Sequence, residues 1–259
     1  MIPTAFAGVE TQLWLWMIAM IRPGAAFLAA PVFGAPAVPV QLRLIVALAI
    51  GIPALAAAPF VLPPDGIASF EGVLLVAGEV LTGLALGFAV QIGFSAAVIA
   101  GEVIGNAMGL GFAGMMDPVS GAPTPALSQL LSITATFLFL GIGGHLQLAT
   151  IIVESYHALP PGGAWLGARS IQGLVLFGGD LFAAGLAIAL PVGFALILVQ
   201  LVMAMLARSA PSMNLFSVGL PATLLAGLVL LAIAAPSMGD GITAGIQRGL
   251  AMARQLAQG

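Results

Sequence analysis

Long apolar runs alternate with short polar connections along the chain, and this pattern predicts an all-α integral membrane protein. Six runs are predicted to form helices that cross a membrane in whole or in part: 13–33, 44–60, 73–100, 127–153, 171–207 and 215–236. An α-helix needs about 20 apolar residues to cross a bilayer. Because the fifth run is far longer, we expect it to form one long kinked helix or two stacked pieces.

A central stretch, residues 101–125, follows neither the pattern of a lipid-facing helix nor that of a solvent-exposed loop. It is rich in glycine and methionine and carries only two charges, Glu102 and Asp117. Irregular backbone at membrane depth is tolerated only where protein covers it or where it lines a wet cavity. We therefore expect a re-entrant or pore-lining loop here, with irregular backbone between Met108 and Pro125, and regard this stretch as the best candidate site.

Composition supports a membrane protein and excludes several classes of function. The chain of 259 residues is 61% hydrophobic and 6% charged, with a mean hydropathy of +1.19, whereas about 25% of residues are charged in soluble domains. There is no cysteine and no run of like charge, so we expect no thiolate site and no nucleic-acid partner. No motif for phosphate binding, metal binding or nucleophilic catalysis is present, so we expect neither enzymatic activity nor a cofactor.

Three prolines lie inside apolar runs and predict helix breaks or kinks. They are Pro23, Pro53 and Pro191, and each removes one backbone hydrogen bond and clashes with the preceding turn. Arg22 precedes the first of them within a run that is otherwise apolar. We favour an arginine that is paired inside a bundle or extends to the membrane surface over one with a role in transport.

Small residues recur at every fourth position from the third run into the central stretch. They form a ridge of Gly93, Ala97, Gly101, Gly105 and Gly109. Such a ridge allows the backbone of another helix to approach closely. We therefore predict a close helix contact along it, either within this chain or with a partner.

Four acidic residues fall within or beside apolar segments: Glu79, Glu102, Asp117 and Asp180. Acids inside a membrane suggest a proton or cation path. The structural alternative is favoured here, with Asp117 in a turn or helix cap, Glu102 bonded to a neighbouring helix and Asp180 paired with an arginine. Phe112 and the methionines Met108, Met115 and Met116 form either a deformable apolar seal or ordinary core packing.

The last two runs predict a helical hairpin followed by an amphipathic tail. The hairpin covers 171–236 and turns at the polar residues 208–214. After Asp240, one face of the predicted helix is apolar, and Arg248 and Arg254 lie on the opposite face. We expect this tail to lie on a membrane or on a partner. The apolar positions are Ile242, Ile246, Leu250, Ala253 and Leu256.

Four motifs carry a family resemblance that extends over nearly the whole chain. They are, in order, IRPGAAFLAAPVFG, GEVIGNAMGLGFAGMMDP, FLGIGGHLQL and RSAPSMNLFSVGLP. In these motifs the chain resembles the FliR family of flagellar export proteins and its virulence-secretion relatives of the SctT type. The central and last motifs are the specific ones, since hydrophobicity alone would not produce them.

The resemblance implies a single membrane-embedded export-gate domain over residues 1–259. Its segments would be N-terminal helices (1–100), a central plug-like loop (101–125), a fourth helix and connection (126–170), a FliQ-like hairpin (171–236) and the tail (237–259). Implied partners are FliP and FliQ homologues, which would form the channel with this chain, together with FlhB and FlhA homologues, unfolded flagellar proteins and membrane lipid. The implied location is the bacterial inner membrane, in the flagellar basal body.

The resemblance also implies roles for individual residues. The plug or gate would contain Gly109, Phe112, Met115, Met116, Asp117 and Pro118, and helix packing would use Gly93, Ala97, Gly101 and Gly105. The hairpin tip would contact a partner through Arg208, Pro211 and Asn214.

A secondary transporter or an ion channel subunit is the alternative class of function. Its site would contain the buried acids Glu79, Glu102 and Asp180 at broken helices near mid-membrane. An internal repeat would favour this alternative, and the two halves of the chain show no convincing one. The sequence leaves open whether the system builds flagella or injects effectors, which way the chain is oriented and how many partner copies surround it.

Overall fold

The structure is a computed structural model that describes residues 7–57, 60, 63, 66–111, 126–163, 165–209 and 215–259. Within these residues all regular secondary structure is helical, as the apolar pattern predicts. There are seven helices in this part of the chain: α1 (Ala7–Ala29), α2 (Val40–Ala57), α3 (Phe70–Ala107), α4 (Ala126–Gly141), α5 (Gly144–Ala158), α6 (Ala168–Ser209) and α7 (Leu215–Ala257).

Four of these helices are long and apolar enough to cross a membrane, namely α1, α3, α6 and α7. The fourth apolar run instead forms two helices, α4 and α5, which meet at a bend of 63°. Gly143 lies at this bend with a φ of 68°. This left-handed conformation is accessible to glycine at little cost and ends a right-handed helix. The expectation of a single fourth helix is therefore wrong.

None of the three prolines interrupts its helix. Pro23, Pro53 and Pro191 lie inside α1, α2 and α6, so the alternative of two stacked pieces for the fifth run is wrong. The end predicted at Pro236 is also absent, because α7 continues through it to Ala257. Proline removes a single backbone bond, and helices in an apolar setting retain the other bonds because water is not available to replace them.

The predicted surface helix at the carboxyl end is part of α7, and its apolar face is buried within this chain. Ile242, Ile246, Leu250, Ala253 and Leu256 are all buried. Gly249 is so close to α3 that an added Cβ would lie 2.9 Å from the Ala89 carbonyl oxygen. The expectation that this face lies on a membrane or on a partner is wrong, because the chain's own helices cover it.

The chain divides into two compact units. The first unit, Met1–Gly93, Leu140–Gly178 and Ile246–Gly259, contains α1, α2 and α5, which contact one another. Glycines bring its helices together: a Cβ on Gly51 would lie 2.7 Å from the Ala19 carbonyl oxygen, and one on Gly83 or Gly87 would overlap the backbone of α1. These last two glycines precede the ridge predicted from the sequence and contact α1.

The second unit, Phe94–Phe139 and Gly179–Gly245, contains the end of α3, helix α4 and most of the α6–α7 hairpin. Helix α6 approaches α3 at Gly185, where an added Cβ would lie 2.6 Å from Ile99 Cγ2. The hairpin helices contact each other where Gly241 of α7 meets Ile188 of α6. Most of the large apolar side chains of α6 are nevertheless exposed.

Candidate functional site

Helix α3 ends within the central stretch, at a glycine cap. Gly109 has a φ of 82°, a conformation that glycine adopts without strain. The Leu110 N–H donates to the Gly105 carbonyl oxygen at 3.0 Å, and the Gly109 N–H donates to the Asn106 carbonyl oxygen at 3.0 Å. This pair of bonds is the Schellman motif. Gly109 is therefore a helix cap at the point where the described part of α3 ends.

The last carbonyl groups of α3 accept hydrogen bonds from both helices of the hairpin. Gln200 of α6 donates its Nε2 to the Ala107 carbonyl oxygen at 2.8 Å. The Thr223 hydroxyl of α7 shares its hydrogen between the Leu220 carbonyl oxygen of its own helix, at 3.0 Å, and the Met108 carbonyl oxygen, at 3.4 Å. Carbonyls at a helix end have no partner within the helix, and here the hairpin supplies one for each. We call residues 105–111 with Gln200 and Thr223 the α3 anchor.

Met108 adds an apolar contact to the α3 anchor. Its side chain is buried, and a Cβ on Gly227 of α7 would lie 2.6 Å from its Cγ and Cε atoms. The absence of a side chain at Gly227 therefore makes room for the thioether. A methionine can fill such a gap because its side chain is unbranched and flexible.

Helix α4 begins against the same part of α3. The Ser128 hydroxyl donates to the Val98 carbonyl oxygen at 3.1 Å. A Cβ on Gly101 would lie 2.5 Å from Ser128 Cα, whereas one on Gly105 would lie 3.7 Å from Leu127 Cβ. Residues 112–125 connect the end of α3 to the start of α4. The start of α4 contacts residues 98–105 of α3, so both helices that flank this connection meet on one short length of α3.

The residues predicted from the sequence for this site are described only in part. Phe112, Met115, Met116, Asp117 and Pro118 lie outside the described residues, as do Pro211 and Asn214. Of the ridge positions, Gly93, Ala97, Gly101 and Gly105 are buried, and Gly109 is half-buried. Arg208 is exposed near the end of α6. The functional roles assigned to these residues stay predictions.

The acids considered for an ion path differ in their surroundings. Glu79 is buried and pairs with Arg22 at 2.7 Å, whereas Glu102 and Asp180 are exposed. In the described residues, no group of three or more histidine, aspartate or glutamate side chains is arranged to hold a metal ion. Both carboxylate oxygens of Glu79 are bonded to Arg22, so the contacts of this acid are those of a buried ion pair.

Arg22 is the centre of a second polar assembly, in the first unit. Its Nε donates to Glu79 Oε2 at 3.0 Å and its Nη2 to Glu79 Oε1 at 2.7 Å. It also donates to the Ser155 hydroxyl oxygen at 2.9 Å and to the Leu159 carbonyl oxygen at 2.7 Å. The guanidinium carbon lies 4.0 Å from the centre of the Tyr156 ring. We call these five residues the Arg22 cluster, and its pairing agrees with the structural interpretation of Arg22.

Sequence reasoning missed most of the side chains that build the two assemblies. Gln200, Thr223 and Ser128 lie within apolar runs, and Ser155 and Tyr156 follow one. None of these five residues was a candidate from the sequence. A signal was available, because a polar side chain inside an apolar span needs a hydrogen-bond partner and often bonds across helices. That signal marks the residues but does not identify their partners.

Comparison with known proteins gives a consistent result. A profile of the family described as "Bacterial export proteins, family 1" matches residues 13–249. The flagellar biosynthetic protein FliR of Escherichia coli (strain K12) is 36% identical over 227 residues, which is 87% of this chain and 85% of that protein. FliR of Pectobacterium carotovorum is 35% identical over 80% of this chain and 78% of its own length. FliR of Aquifex aeolicus is 31% identical, with 80% and 79% covered.

Proposed function

Because the chain belongs to family 1 of the bacterial export proteins, we propose that it is an export-gate subunit of the flagellar type III protein secretion apparatus. Its relatives are named as flagellar biosynthetic proteins, which indicates a component of the flagellar export apparatus. The long apolar helices indicate a membrane location. The finer location that we propose is the bacterial inner membrane, within the flagellar basal body.

The proposed partners are homologues of FliP and FliQ, which would form the channel for unfolded flagellar proteins with this chain, and homologues of FlhB and FlhA. The exposed surface of α6 supports a partner in the membrane. Its large exposed side chains are apolar along most of the helix, and lipid or other apolar helices must cover them. They include Val175, Leu176, Phe182, Phe194 and Met205.

We also propose that the central loop is the plug of this channel, sealed by Phe112, Met115 and Met116. Apolar side chains close a pore by excluding water and ions. The observation that carries the proposal is that the helix on each side of the loop is held in place. Gln200 and Thr223 bond to the end of α3, and Ser128 at the start of α4 bonds to Val98. A loop held at both ends can change its conformation while the helices beside it stay packed.

A deletion inside the loop tests the plug. Removing residues 112–119 retains the α3 anchor and leaves residues 120–125, which extend up to about 20 Å, to join Gly111 to Ala126. We expect the gate to assemble, export to be retained or only partly reduced, and ions to leak across the membrane. Conductance and motility would be measured in cells that contain all the other gate subunits.

Two further strains make the result of the deletion specific. The triple substitution Phe112→Ala, Met115→Ala and Met116→Ala should leak as well, because it removes the apolar seal and keeps the loop length. Phe137→Ala removes an exposed aromatic side chain from α4 and should leave the membrane tight. An ion-tight membrane in the deletion strain, with the gate assembled, would refute the plug. Loss of export without any leak would instead favour a transporter site.

A further inference from the structure

Two helices of the second unit, α3 and α4, each carry a stripe of polar side chains. On α3 the polar residues are Ser95, Glu102 and Asn106, and residues spaced by seven and by four positions lie on one face of a helix. Glu102 and Asn106 are exposed, and Ser95 is half-buried. The end of α3 therefore has a polar surface.

Helix α4 has two stripes outside its buried contact with α3, and they differ in chemistry. One stripe is polar and consists of Gln129, which is exposed, and of Ser132 and Thr136, which are half-buried. The other stripe is apolar and exposed, and consists of Leu130, Ile133 and Phe137. One side of α4 is therefore suited to lipid or to an apolar partner, and the other side is not.

The two polar stripes lie on the same side of the α3–α4 pair. Ser128 of α4 contacts α3 at Val98 and Gly101. Around each helix the polar stripe lies about 100° from this contact, in the sense in which the residues advance. The helices run antiparallel, because α3 enters the second unit at Phe94 and α4 leaves it after Phe139. With opposite directions, the same rotation brings both stripes to one side. We call six residues the polar face: Ser95, Glu102, Asn106, Gln129, Ser132 and Thr136.

The polar face is unsuited to contact with lipid. Amides, hydroxyls and a carboxylate lose their hydrogen bonds with water in a hydrocarbon environment, and this loss is unfavourable. Only 6% of the residues of this chain are charged, and the large exposed side chains of α6 are apolar. A concentration of polar side chains in such a chain indicates a surface that meets water or another polar group.

The polar face lies beside the central loop. Residues 112–125 connect α3 to α4, the two helices that carry the face. Asn106 is at the end of the face nearest the loop, and its Oδ1 would lie 3.0 Å from a Cβ on Gly111. The chain therefore enters the loop proposed as the plug alongside this face.

Glu102 contributes the one charge of the polar face, and the other five side chains are neutral. Their amides and hydroxyls both donate and accept hydrogen bonds, as peptide groups do. Thr136 donates to the Ser132 carbonyl oxygen at 2.9 Å, and its hydroxyl oxygen can still accept. Neutral bonds of this kind exchange with water at small cost. Such a surface can contact unfolded chains of many sequences through their backbone groups and then release them.

We propose that the polar face lines the water-filled channel of the gate and contacts the backbone of the polypeptide in transit. This inference rests on the proposed function, and it assigns the channel to one side of the α3–α4 pair. The apolar stripe of α4 is then directed away from the channel, toward lipid or a neighbouring subunit. Conduction requires contacts that are weak enough to break, and the neutral groups of the face meet that condition.

Thiol labelling tests whether the polar face meets water. The chain has no cysteine, so a single introduced cysteine is a unique target. Gln129→Cys and Ser132→Cys place a thiol on the polar face, and Leu130→Cys and Ile133→Cys are matched controls on the apolar stripe. A charged, water-soluble methanethiosulfonate is added to both sides of membranes that contain the complete gate. We expect labelling at least about tenfold faster on the polar face, because the reactive thiolate forms in water and not in apolar surroundings.

Two labelling results would overturn the inference. Equal rates at the two stripes would show that the polar face does not meet water. Rapid labelling of the separate chain in detergent, with protection in the complete gate, would show that a polar surface of a partner covers the face. Rates are compared among variants whose strains remain motile, so that the labelled chain belongs to a working gate.

Cross-linking tests the contact with the polypeptide. An exported protein with one cysteine and a folded domain at its trailing end is stalled in the gate, and mild oxidation then joins neighbouring thiols. Ser132→Cys should form a disulfide with the stalled protein at least about tenfold more than Ile133→Cys does, because a disulfide needs Cα atoms within about 7 Å. Equal yields at the two positions would contradict the assignment of the channel to this side of α4.

Co-purification separates a failure of this inference from a failure of the proposed function. If the chain does not co-purify with the other gate subunits, the proposed function is wrong and the inference fails with it. If the chain co-purifies but the stalled protein cross-links only to other subunits, the proposed function stands and the polar face is not part of the channel.

Discussion

The Arg22 cluster and the α3 anchor are both polar assemblies in an apolar protein, but they are built from different bonds. The cluster is charged: Arg22 donates four hydrogen bonds to three residues and lies over an aromatic ring. The anchor is neutral: Gln200 donates one bond to the Ala107 carbonyl, and the Thr223 hydroxyl is shared between Met108, at 3.4 Å, and Leu220 of its own helix, at 3.0 Å. Hydrogen bonds with charged partners are roughly twice as strong as neutral ones.

This difference indicates different mechanical roles for the two regions. The cluster connects α1, α3 and α5 through buried groups, and breaking it would leave a charge without a partner. The anchor joins the end of α3 to the hairpin by bonds that another neutral group or water can replace at small cost. Regions that move in function are drawn from the weakly stabilised parts of a protein, and the anchor lies beside the loop proposed to move.

The largest effect is expected from removing the charge that balances Arg22. Glu79→Gln keeps the shape of the side chain and leaves a buried guanidinium, which should lower the free energy of unfolding by about 3–5 kcal/mol. Thermal unfolding in mild detergent measures this loss. Glu154→Gln is the control, since Glu154 is exposed. Replacing both partners, Arg22→Met with Glu79→Leu, should recover much of the stability, and a double variant as unstable as Glu79→Gln would contradict the ion-pair explanation.

A smaller effect is expected at the contact between α3 and α4, where two glycines form a matched pair. A Cβ on Gly101 would lie 2.5 Å from the backbone of Ser128, whereas one on Gly105 would have no neighbour closer than 3.7 Å. Gly101→Ala should therefore cost about 1–3 kcal/mol and reduce assembly of the proposed gate, and Gly105→Ala should be tolerated.

The measurements for this pair are the unfolding temperature and the amount of chain in the assembled complex on native gels. Gly141→Ala is the control for helix propensity, because open space surrounds that position. If both ridge variants assemble as well as this control, the close contact at Gly101 does not contribute to assembly.

The smallest effect is expected from the α3 anchor itself. Gln200→Leu removes the donor to the Ala107 carbonyl and should cost about 0.5–1.5 kcal/mol. Thr223→Val should loosen the end of α3 less, because the shorter bond of this hydroxyl is to Leu220 in its own helix. Hydrogen exchange of the Gly109 and Leu110 amides should accelerate, and the proposed gate should leak slightly when closed. Thr150→Val is the control, because it removes a bond within α5 alone. It should change neither the amide exchange nor the ion leak. Unchanged exchange in Gln200→Leu would show that the hairpin does not hold the end of α3.

The end of α3 beside the candidate site was predictable from the sequence, but the side chains that hold it were not. The glycine-rich pattern correctly placed the end of a helix near Met108, because glycine at this point permits the left-handed cap that Gly109 adopts. It did not reveal Gln200 or Thr223, which are 93 and 115 residues from their acceptors. The fourth run and the tail were predicted wrongly, since apolar content alone does not show that Gly143 bends the chain or that α3 covers Gly249.

The sequence by itself determined that this is a helical membrane protein and where most of its long helices lie. Apolar runs of this length leave little choice, because every backbone group in lipid must be bonded within its own segment. Only the tertiary structure decided which polar side chains meet. Arg22 pairs with Glu79, 57 residues away, and bonds to Ser155, 133 residues away. A pairing of that kind depends on how three helices pack, and the residues of any one helix do not specify it.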